Sequence, residues 1–292
     1  MPETEGTRHR TAVMHSPRGF IPAPVDSRRR TEASAVSDGS GLSPEFKHEE
    51  GAEKKRRQGG ESRRSAAFFD VDETLITAKS MFEFLRHWLA RNGDDGTLYR
   101  QRADALRQMA ERVPREEGNR AYYTNFAGVP AAGLIDAGRD WYAAYRRGPD
   151  AFVTATARAL ARHQAAGDRI VLVSGGFAAC LRPLADDFAV DLTLCSDPLI
   201  ADDGTFTGEV GTAMIGKAKA VAVAQAIAEF GLSAADCWAY GDHSSDLAML
   251  SSVGNPVAIG DDPVLCGYVR SQGGSILPTT GGRRDECRRS DA

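Results

Sequence analysis

Two aspartates separated by one residue follow directly after a short apolar run. Ala66 to Phe69 lead into Asp70, Val71 and Asp72. Such a run is typical of a buried parallel strand, and open α/β sheets bind ligands at the carboxyl ends of these strands. Because the chain turns after the strand, we expect the two carboxylates to converge on one point. Converging carboxylates bind a hard cation or share acid and base work, although a solvated turn or a helix cap also contains them.

A second apolar run ends in a hydroxyl and two glycines. Residues 170–173 are Ile-Val-Leu-Val, and Ser174, Gly175 and Gly176 follow them. Backbone N–H groups at a turn into a helix favour an anion, so this segment predicts a phosphate-binding turn. Glycines that serve only a tight turn are the alternative.

Two further segments supply lysines and more carboxylates. Lys217 and Lys219 begin a predicted helix, where a cation opposes the helix dipole unless it faces a bound anion or simply solvent. Another apolar strand pattern leads into Asp242 and, four residues later, Asp246. We expect these groups at the same edge of the sheet, with a helix N-cap and a surface acid as the alternative.

Taken in this order, the four segments resemble the haloacid dehalogenase (HAD) superfamily of phosphohydrolases. The superfamily pattern is Asp-x-Asp-x-Thr, a strand ending in Ser or Thr, a lysine, and Gly-Asp-x-x-x-Asp. The Ser-Gly-Gly-Phe turn, a hairpin at 203–210 and the segment 253–259 are similar to subfamily IB, the phosphoserine-phosphatase-like branch. The resemblance covers roughly residues 66–277.

The resemblance implies an α/β fold, with a Rossmann-like parallel sheet and a helical cap inserted after the first strand. The core would be formed by residues 66–78 and 150–278, and the cap by residues 79–149. The residue pattern agrees with this division, because apolar residues recur at helical spacing in the cap segment. Strand and helix patterns then alternate after Gly167, as expected for a parallel sheet.

The implied activity is Mg²⁺-dependent hydrolysis of a phosphomonoester. Asp70 would attack phosphorus to form an aspartyl phosphate, and Asp72 would act first as general acid and then as general base. Mg²⁺ would be held by Asp70, Asp242 and the backbone carbonyl of Asp72. His243 occupies a variable position of the pattern, so we expect no catalytic role for it.

The resemblance also assigns the phosphate-binding groups. Ser174, Gly175 and Lys219 would hold the phosphoryl oxygens. The pattern places its lysine three residues after a glycine, which favours Lys219 over Lys217 without excluding the latter. Asp246 would orient Lys219 or a metal-bound water.

The sequence departs from phosphoserine phosphatases at Lys79. That position, seven residues after the second aspartate, is a glutamate that receives the substrate ammonium in those enzymes. A lysine should repel an ammonium and favour an anion, so we expect Lys79 to bind a second negative group of the substrate. A lysine that only faces solvent is the alternative. The substrate stays open among phosphorylated sugars, polyols, carboxylate-bearing metabolites and lysophospholipid head groups.

Composition narrows the classes of function. The chain has 292 residues and a formal net charge of -4, which argues against binding to nucleic acid through phosphate neutralisation. We expect no membrane span, because no apolar run approaches the length that one needs, and the start of the chain lacks a secretory signal. The five cysteines form no Cys-x-x-Cys pair, which is typical of a cytoplasmic protein.

Both ends of the chain are polar. Residues 1–65 are rich in Arg, Ser, Pro, Gly and Glu, and residues 279–292 are similarly polar, so we expect disorder in both.

Two other functions stay open. One is a regulatory or binding protein on a HAD core, against which the intact set of motif residues argues, and the other is phosphoryl transfer to an acceptor alcohol. The oligomeric state is undetermined.

Overall fold

A six-stranded parallel sheet carries the first apolar run near its centre. The computed structural model describes residues 65–279, and the sheet order in this part of the chain is β3-β2-β1-β6-β7-β8. The strands are β1 (Ala66–Phe69), β2 (Arg169–Ser174), β3 (Leu192–Cys195), β6 (Trp238–Gly241), β7 (Asn255–Ile259) and β8 (Ser275–Leu277). Every pairing in it is parallel. The predicted α/β fold is confirmed.

The two faces of the sheet bury two separate apolar clusters. Along β1, Ala67 and Phe69 belong to one cluster, whereas Ala66 and Phe68 belong to the other. This follows from the alternation of side chains along a strand. All four residues are fully buried, which explains why the run is continuously apolar. The sheet is therefore covered on both sides, and its carboxyl edge is the place where polar side chains emerge.

Helices make up most of the chain between β1 and β2. The helices before β2 are α1 (Ser80–Arg91), α2 (Thr97–Ala110), α3 (Arg115–Tyr123), α4 (Ala131–Tyr145) and α5 (Thr154–Ala166). We call residues 80–145 the helical insert. The helical spacing predicted α1, α2 and the end of α4, but it did not separate α3.

The remaining helices follow the strands of the sheet in alternation. They are α6 (Ala178–Asp187), α7 (Lys217–Glu229), α8 (Leu247–Leu250) and α9 (Pro263–Ser271). The sequence pattern predicts helices over 177–188, 217–230 and 244–250, which match the first three within a few residues, whereas it predicts neither α9 nor β8.

A two-stranded antiparallel hairpin attaches to the helical insert. It consists of β4 (Pro198–Ile200) and β5 (Phe206–Val210), so the predicted hairpin at 203–210 exists and begins earlier. Backbone hydrogen bonds link it to the segment between α3 and α4. Gly128 N donates to Phe206 O at 2.7 Å, and Phe206 N donates to Val129 O at 2.8 Å. The insert is thus tied to the hairpin by main-chain bonds.

The two polar ends fall almost entirely outside the described residues. Of the segments predicted to be disordered, only Ser65 and Thr279 are described. Ser65 is attached to the sheet, because its carbonyl accepts a hydrogen bond from Arg169 N at 3.1 Å and its hydroxyl donates to Asp168. Within residues 65–279, no helix has both the length and the apolar character needed to cross a bilayer. The four cysteines of this range are free thiols.

The contact between α4 and α6 gives a test of the packing. A Cβ added to Gly138 would lie 1.8 Å from the Ala179 carbonyl oxygen. We expect Gly138→Ala to lower the free energy of unfolding by about 1–3 kcal/mol, because the backbones of α4 and α6 must separate. Gly133 in the same helix is the control: its Cβ would meet only Trp88 at 3.8 Å. Gly133→Ala should raise the free energy of unfolding by about 0.5–1 kcal/mol. Urea denaturation measures both, and equal effects would contradict this packing.

Candidate active site

The predicted site residues meet at the carboxyl edge of three neighbouring strands. Asp70 follows β1, Ser174 ends β2 and Asp242 follows β6. Because β2, β1 and β6 are adjacent and parallel, their ends lie side by side. The Asp70 N–H donates to the Tyr240 carbonyl at 2.9 Å, which continues the β1–β6 ladder into the site.

A buried lysine joins two of the carboxylates. Lys219 Nζ donates to Asp246 Oδ1 at 2.7 Å and to Asp70 Oδ1. The Lys219 residue is only 4 % exposed, and Asp246 is 1 % exposed. Lys217 is exposed to solvent, so Lys219 is the lysine that reaches the aspartates. The geometry matches the predicted relation in which Asp246 orients Lys219.

Thr74 connects Asp70 to the third carboxylate. Its hydroxyl oxygen lies 3.1 Å from Asp70 Oδ2 and 2.9 Å from Asp242 Oδ1. A hydroxyl group has one proton, so it donates to only one of these carboxylates. The second contact is a hydrogen bond only when that carboxyl group is protonated. The arrangement therefore crowds negative charge around a single neutral donor.

The pKa values reflect this crowding. Burial raises the pKa of Asp70 to about 7, although Lys219 opposes the shift. Burial and the nearby Asp246 raise the pKa of Asp242. Burial alone would lower the pKa of Lys219, but Asp246 and Asp70 raise it above its ordinary value, so the ammonium stays charged. One fixed positive charge thus faces several carboxylates that do not ionise easily together.

The loop after β6 is shaped by a close contact and a cap. A Cβ on Gly241 would lie 2.7 Å from the Asp246 Cβ, so only glycine lets the Asp246 side chain pack there. His243 Nδ1 accepts a hydrogen bond from Ser245 N at 3.0 Å, and His243 N donates to Asp246 Oδ2 at 3.4 Å. His243 thus caps the turn that carries Asp246.

Asp72 is held by the start of the helical insert, and the convergence of its carboxylate with that of Asp70 stays a prediction. Its Oδ1 accepts a hydrogen bond from Ser80 N, at the start of α1, at 3.0 Å. Carboxylate oxygens of Asp70, Asp242 and Asp246 all lie within 4.8 Å of one another, and Asp72 is not in that group. Burial and the charge of Asp70 raise the pKa of Asp72 to about 6.

The turn after β2 differs from the predicted phosphate-binding turn in one respect. Ser174 Oγ accepts a hydrogen bond from Gly176 N at 3.0 Å, so one of the two glycine amides is already used inside the turn. The Ser174 hydroxyl keeps its proton for another acceptor. Ser174 and Gly175 lie at the sheet edge that carries Asp70, as expected.

Three side chains that the sequence did not single out hold the Gly175 carbonyl. Asn119 Nδ2 donates to it at 2.8 Å, Tyr123 OH at 2.9 Å and Ser196 Oγ at 2.9 Å. The first two lie on α3, so the helical insert fixes this peptide from above the sheet edge. No motif in the sequence signals these contacts, because they join distant parts of the chain.

Lys79 does not contact the carboxylate cluster. Its Nζ lies 3.2 Å from Glu73 Oε2, and the two side chains are 49 % and 45 % exposed. Glu73 has a φ of 60°, a left-handed conformation that is uncommon for a residue other than glycine. Lys79 therefore forms an ion pair with Glu73, a partner that the sequence did not predict.

The donor set fits a hard divalent cation. Asp70, Asp242 and Asp246 offer carboxylate oxygens, the ligands that Mg²⁺ prefers in proteins. Their only buried cationic neighbour among the described residues is Lys219. A bound cation would compensate the surplus negative charge that raises the aspartate pKa values.

Comparisons with known proteins agree with this geometry. The profile of the haloacid dehalogenase-like hydrolase family matches residues 67–251, which is more than half of the chain. The phosphoserine phosphatase SerB1 of Mycobacterium tuberculosis is 32% identical over 221 residues, which cover 73% of this chain and 70% of that protein. The inhibition of morphological differentiation protein of Streptomyces azureus is 28% identical over 232 residues, covering 73% and 78%.

Solved structures show the same fold. A Bordetella pertussis protein of unknown function has a TM-score of 0.65 and 27% identity, covering 74% of this chain and 99% of its own. A substrate-bound phosphoserine phosphatase complex has a TM-score of 0.55 and 17% identity, covering 75% and 94%. The resemblance expected from the motifs is confirmed in both sequence and fold. With Asp70, Asp242, Asp246 and Lys219 assembled at the sheet edge and the family profile spanning them, the chain belongs to the haloacid dehalogenase-like hydrolase family.

Proposed function

We propose that the protein hydrolyses a small phosphomonoester, with Asp70 as the nucleophile. The observation that carries the proposal is the buried contact of Asp70 with Lys219 beside Asp242 and Asp246. A lysine in this position can neutralise a phosphoryl oxygen and hold the nucleophile in one orientation. The relative named phosphoserine phosphatase supports the phosphatase class.

The carboxylates of Asp70 and Asp242, with the backbone carbonyl of Asp72, would hold Mg²⁺, and Asp246 is close enough to assist. When bound, Mg²⁺ supplies positive charge that lets an anionic nucleophile approach an anionic phosphate. Ser174 would donate its hydroxyl proton to a phosphoryl oxygen, since its oxygen already accepts from Gly176 N. Lys219 would provide the fixed positive charge.

The reaction would proceed in two displacements. An Asp70 carboxylate oxygen forms a bond to phosphorus while the bond from phosphorus to the leaving oxygen breaks, and Asp72 gives its proton to that oxygen. Water then attacks the phosphorus of the aspartyl phosphate, Asp72 takes a proton from the water, and orthophosphate leaves. The raised pKa of Asp72, about 6, suits a group that must exist in both protonation states.

We further propose that the substrate carries a second negative group, which Lys79 binds. The present partner of Lys79 is Glu73, in a half-exposed ion pair. Exposed pairs of this kind contribute little, about 0–1 kcal/mol, so an anionic substrate can displace Glu73. Burial lowers the pKa of His243, and Arg115 and Lys79 lower it further, so two cations influence this loop.

The nucleophile is tested by Asp70→Asn in the full-length protein. We expect phosphate release in the presence of Mg²⁺ to fall at least about a thousandfold, because an amide does not attack phosphorus. Beryllofluoride should form an adduct with the wild type only. Asp236, an exposed acid outside the site, supplies the control, and Asp236→Asn should keep full activity. Substantial turnover by Asp70→Asn would rule out this mechanism.

The substrate class is tested with two compounds of similar shape. 3-Phosphoglycerate has a carboxylate where glycerol 3-phosphate has a hydroxymethyl group. We expect Lys79→Gln to lower kcat/KM for 3-phosphoglycerate by about 1–3 kcal/mol of transition-state stabilisation. Glu73→Gln should raise the same kcat/KM, because it frees Lys79. Neither change should affect glycerol 3-phosphate.

Parallel losses on both compounds would show that Lys79 supports the loop instead of binding the substrate. Equal activity of all variants on both compounds would place Lys79 outside the binding site. Because Glu73 also acts electrostatically on Asp242, glycerol 3-phosphate serves as the control for indirect effects of Glu73→Gln.

A further inference from the structure

Ser80 combines two features that no motif explains. Its backbone N–H, at the first residue of α1, donates to Asp72 Oδ1 at 3.0 Å. Its hydroxyl is fully buried and makes no hydrogen bond of normal geometry with the described residues, but it lies close enough to Asp72 and Cys180 to lower the pKa of each against the larger effect of burial. A buried hydroxyl without a well-formed hydrogen bond destabilises the folded state. Its position next to the proposed general acid therefore indicates a role in the reaction.

The position of the hydroxyl is defined by the turn after β2. A Cβ built on Gly176 would lie 3.4 Å from Ser80 Oγ, 3.3 Å from Ser174 Oγ and 3.4 Å from Cys180 Sγ. Ser80 Oγ therefore lies beside the residues that follow β2, while its own N–H binds Asp72. Ser80 therefore contacts the proposed general acid through its N–H, and its hydroxyl lies near the turn that carries Ser174.

We propose that Ser80 is a positioning residue for Asp72, and that its hydroxyl donates a second hydrogen bond to the Asp72 carboxyl group in the reacting complex. This inference rests on the proposed function. With both donors of Ser80 directed at Asp72, the other carboxyl oxygen faces the leaving oxygen of the substrate. As the bond from phosphorus to that oxygen breaks, the proton of Asp72 moves to it, and the carboxylate that remains is stabilised by the two donors of Ser80.

Leaving groups of different basicity separate this role from a structural one. 4-Nitrophenolate leaves without much help from a proton, whereas the more basic phenolate of phenyl phosphate needs the general acid. In the full-length protein with Mg²⁺, we expect Ser80→Ala to lower kcat/KM for phenyl phosphate about tenfold, the effect of one hydrogen bond. For 4-nitrophenyl phosphate kcat/KM should change less than about twofold. Released phosphate measures both.

Thr156 offers a matched control. Its hydroxyl is also fully buried and without a partner in the described chain, but it lies on α5 and contacts none of the carboxylates of the site. Thr156→Val should leave both kcat/KM values unchanged. We expect neither variant to lower the Tm, because each removes an unpartnered buried hydroxyl. If Ser80→Ala does lower the Tm, Ser80→Cys repeats the test with a side chain of similar volume and a weak donor.

Two outcomes would overturn the proposal. One is an equal loss on both aryl phosphates, which is the result expected of a general disturbance of the site. The other is an unchanged kcat/KM for phenyl phosphate in Ser80→Ala. A wild-type protein that releases phosphate from neither the aryl phosphates, 3-phosphoglycerate nor glycerol 3-phosphate would instead contradict the proposed function, so the two failures are distinguishable.

Discussion

The buried ion pairs of Lys219 are the interaction on which the site depends. Its ammonium contacts Asp70 and Asp246, and all three groups are almost completely shielded from water. Removing Lys219 would leave the buried carboxylates uncompensated, a change that costs about 3–5 kcal/mol in proteins. The chain brings α7 and the loop after β6 to the end of β1, where these groups meet. The central strand pairing and the helix that carries Lys219 therefore act together to keep Asp70 in place.

The same cluster contains more buried carboxylates than buried positive charges among the described residues. Asp242 shares the Thr74 hydroxyl with Asp70, and one proton cannot satisfy both carboxylates when they are ionised. Burial, together with the neighbouring carboxylates, raises the pKa values of Asp70 and Asp242, so full ionisation of the cluster costs free energy. A hard cation bound by these carboxylates would compensate their negative charge. The residues that would hold Mg²⁺ are thus also the residues whose charges are least balanced without it.

Sequence patterns predicted the sheet and the residues at its edge, because a short apolar run followed by a polar residue fixes both a strand and its end. Asp70, Asp242 and Lys219 are close together for that reason. The hydrogen bond that holds Asp72 was not predictable in the same way, because its donor is Ser80, a residue of the helical insert. Helix α3 was missed because it contains a glycine and several charges, and tertiary contacts rather than periodicity define it.

The helical insert acts on both sides of the proposed reaction centre. Through Ser80 it holds the carboxyl group of Asp72, and through Asn119 and Tyr123 it holds the carbonyl of Gly175. These bonds place contacts to two of the proposed site residues in the insert and not in the sheet. A change in the insert can therefore alter the orientation of the Asp72 carboxyl group without touching the sheet. Relatives with the same sheet-edge residues need not share a substrate, because function depends on the side chains placed around a fold and not on the fold itself.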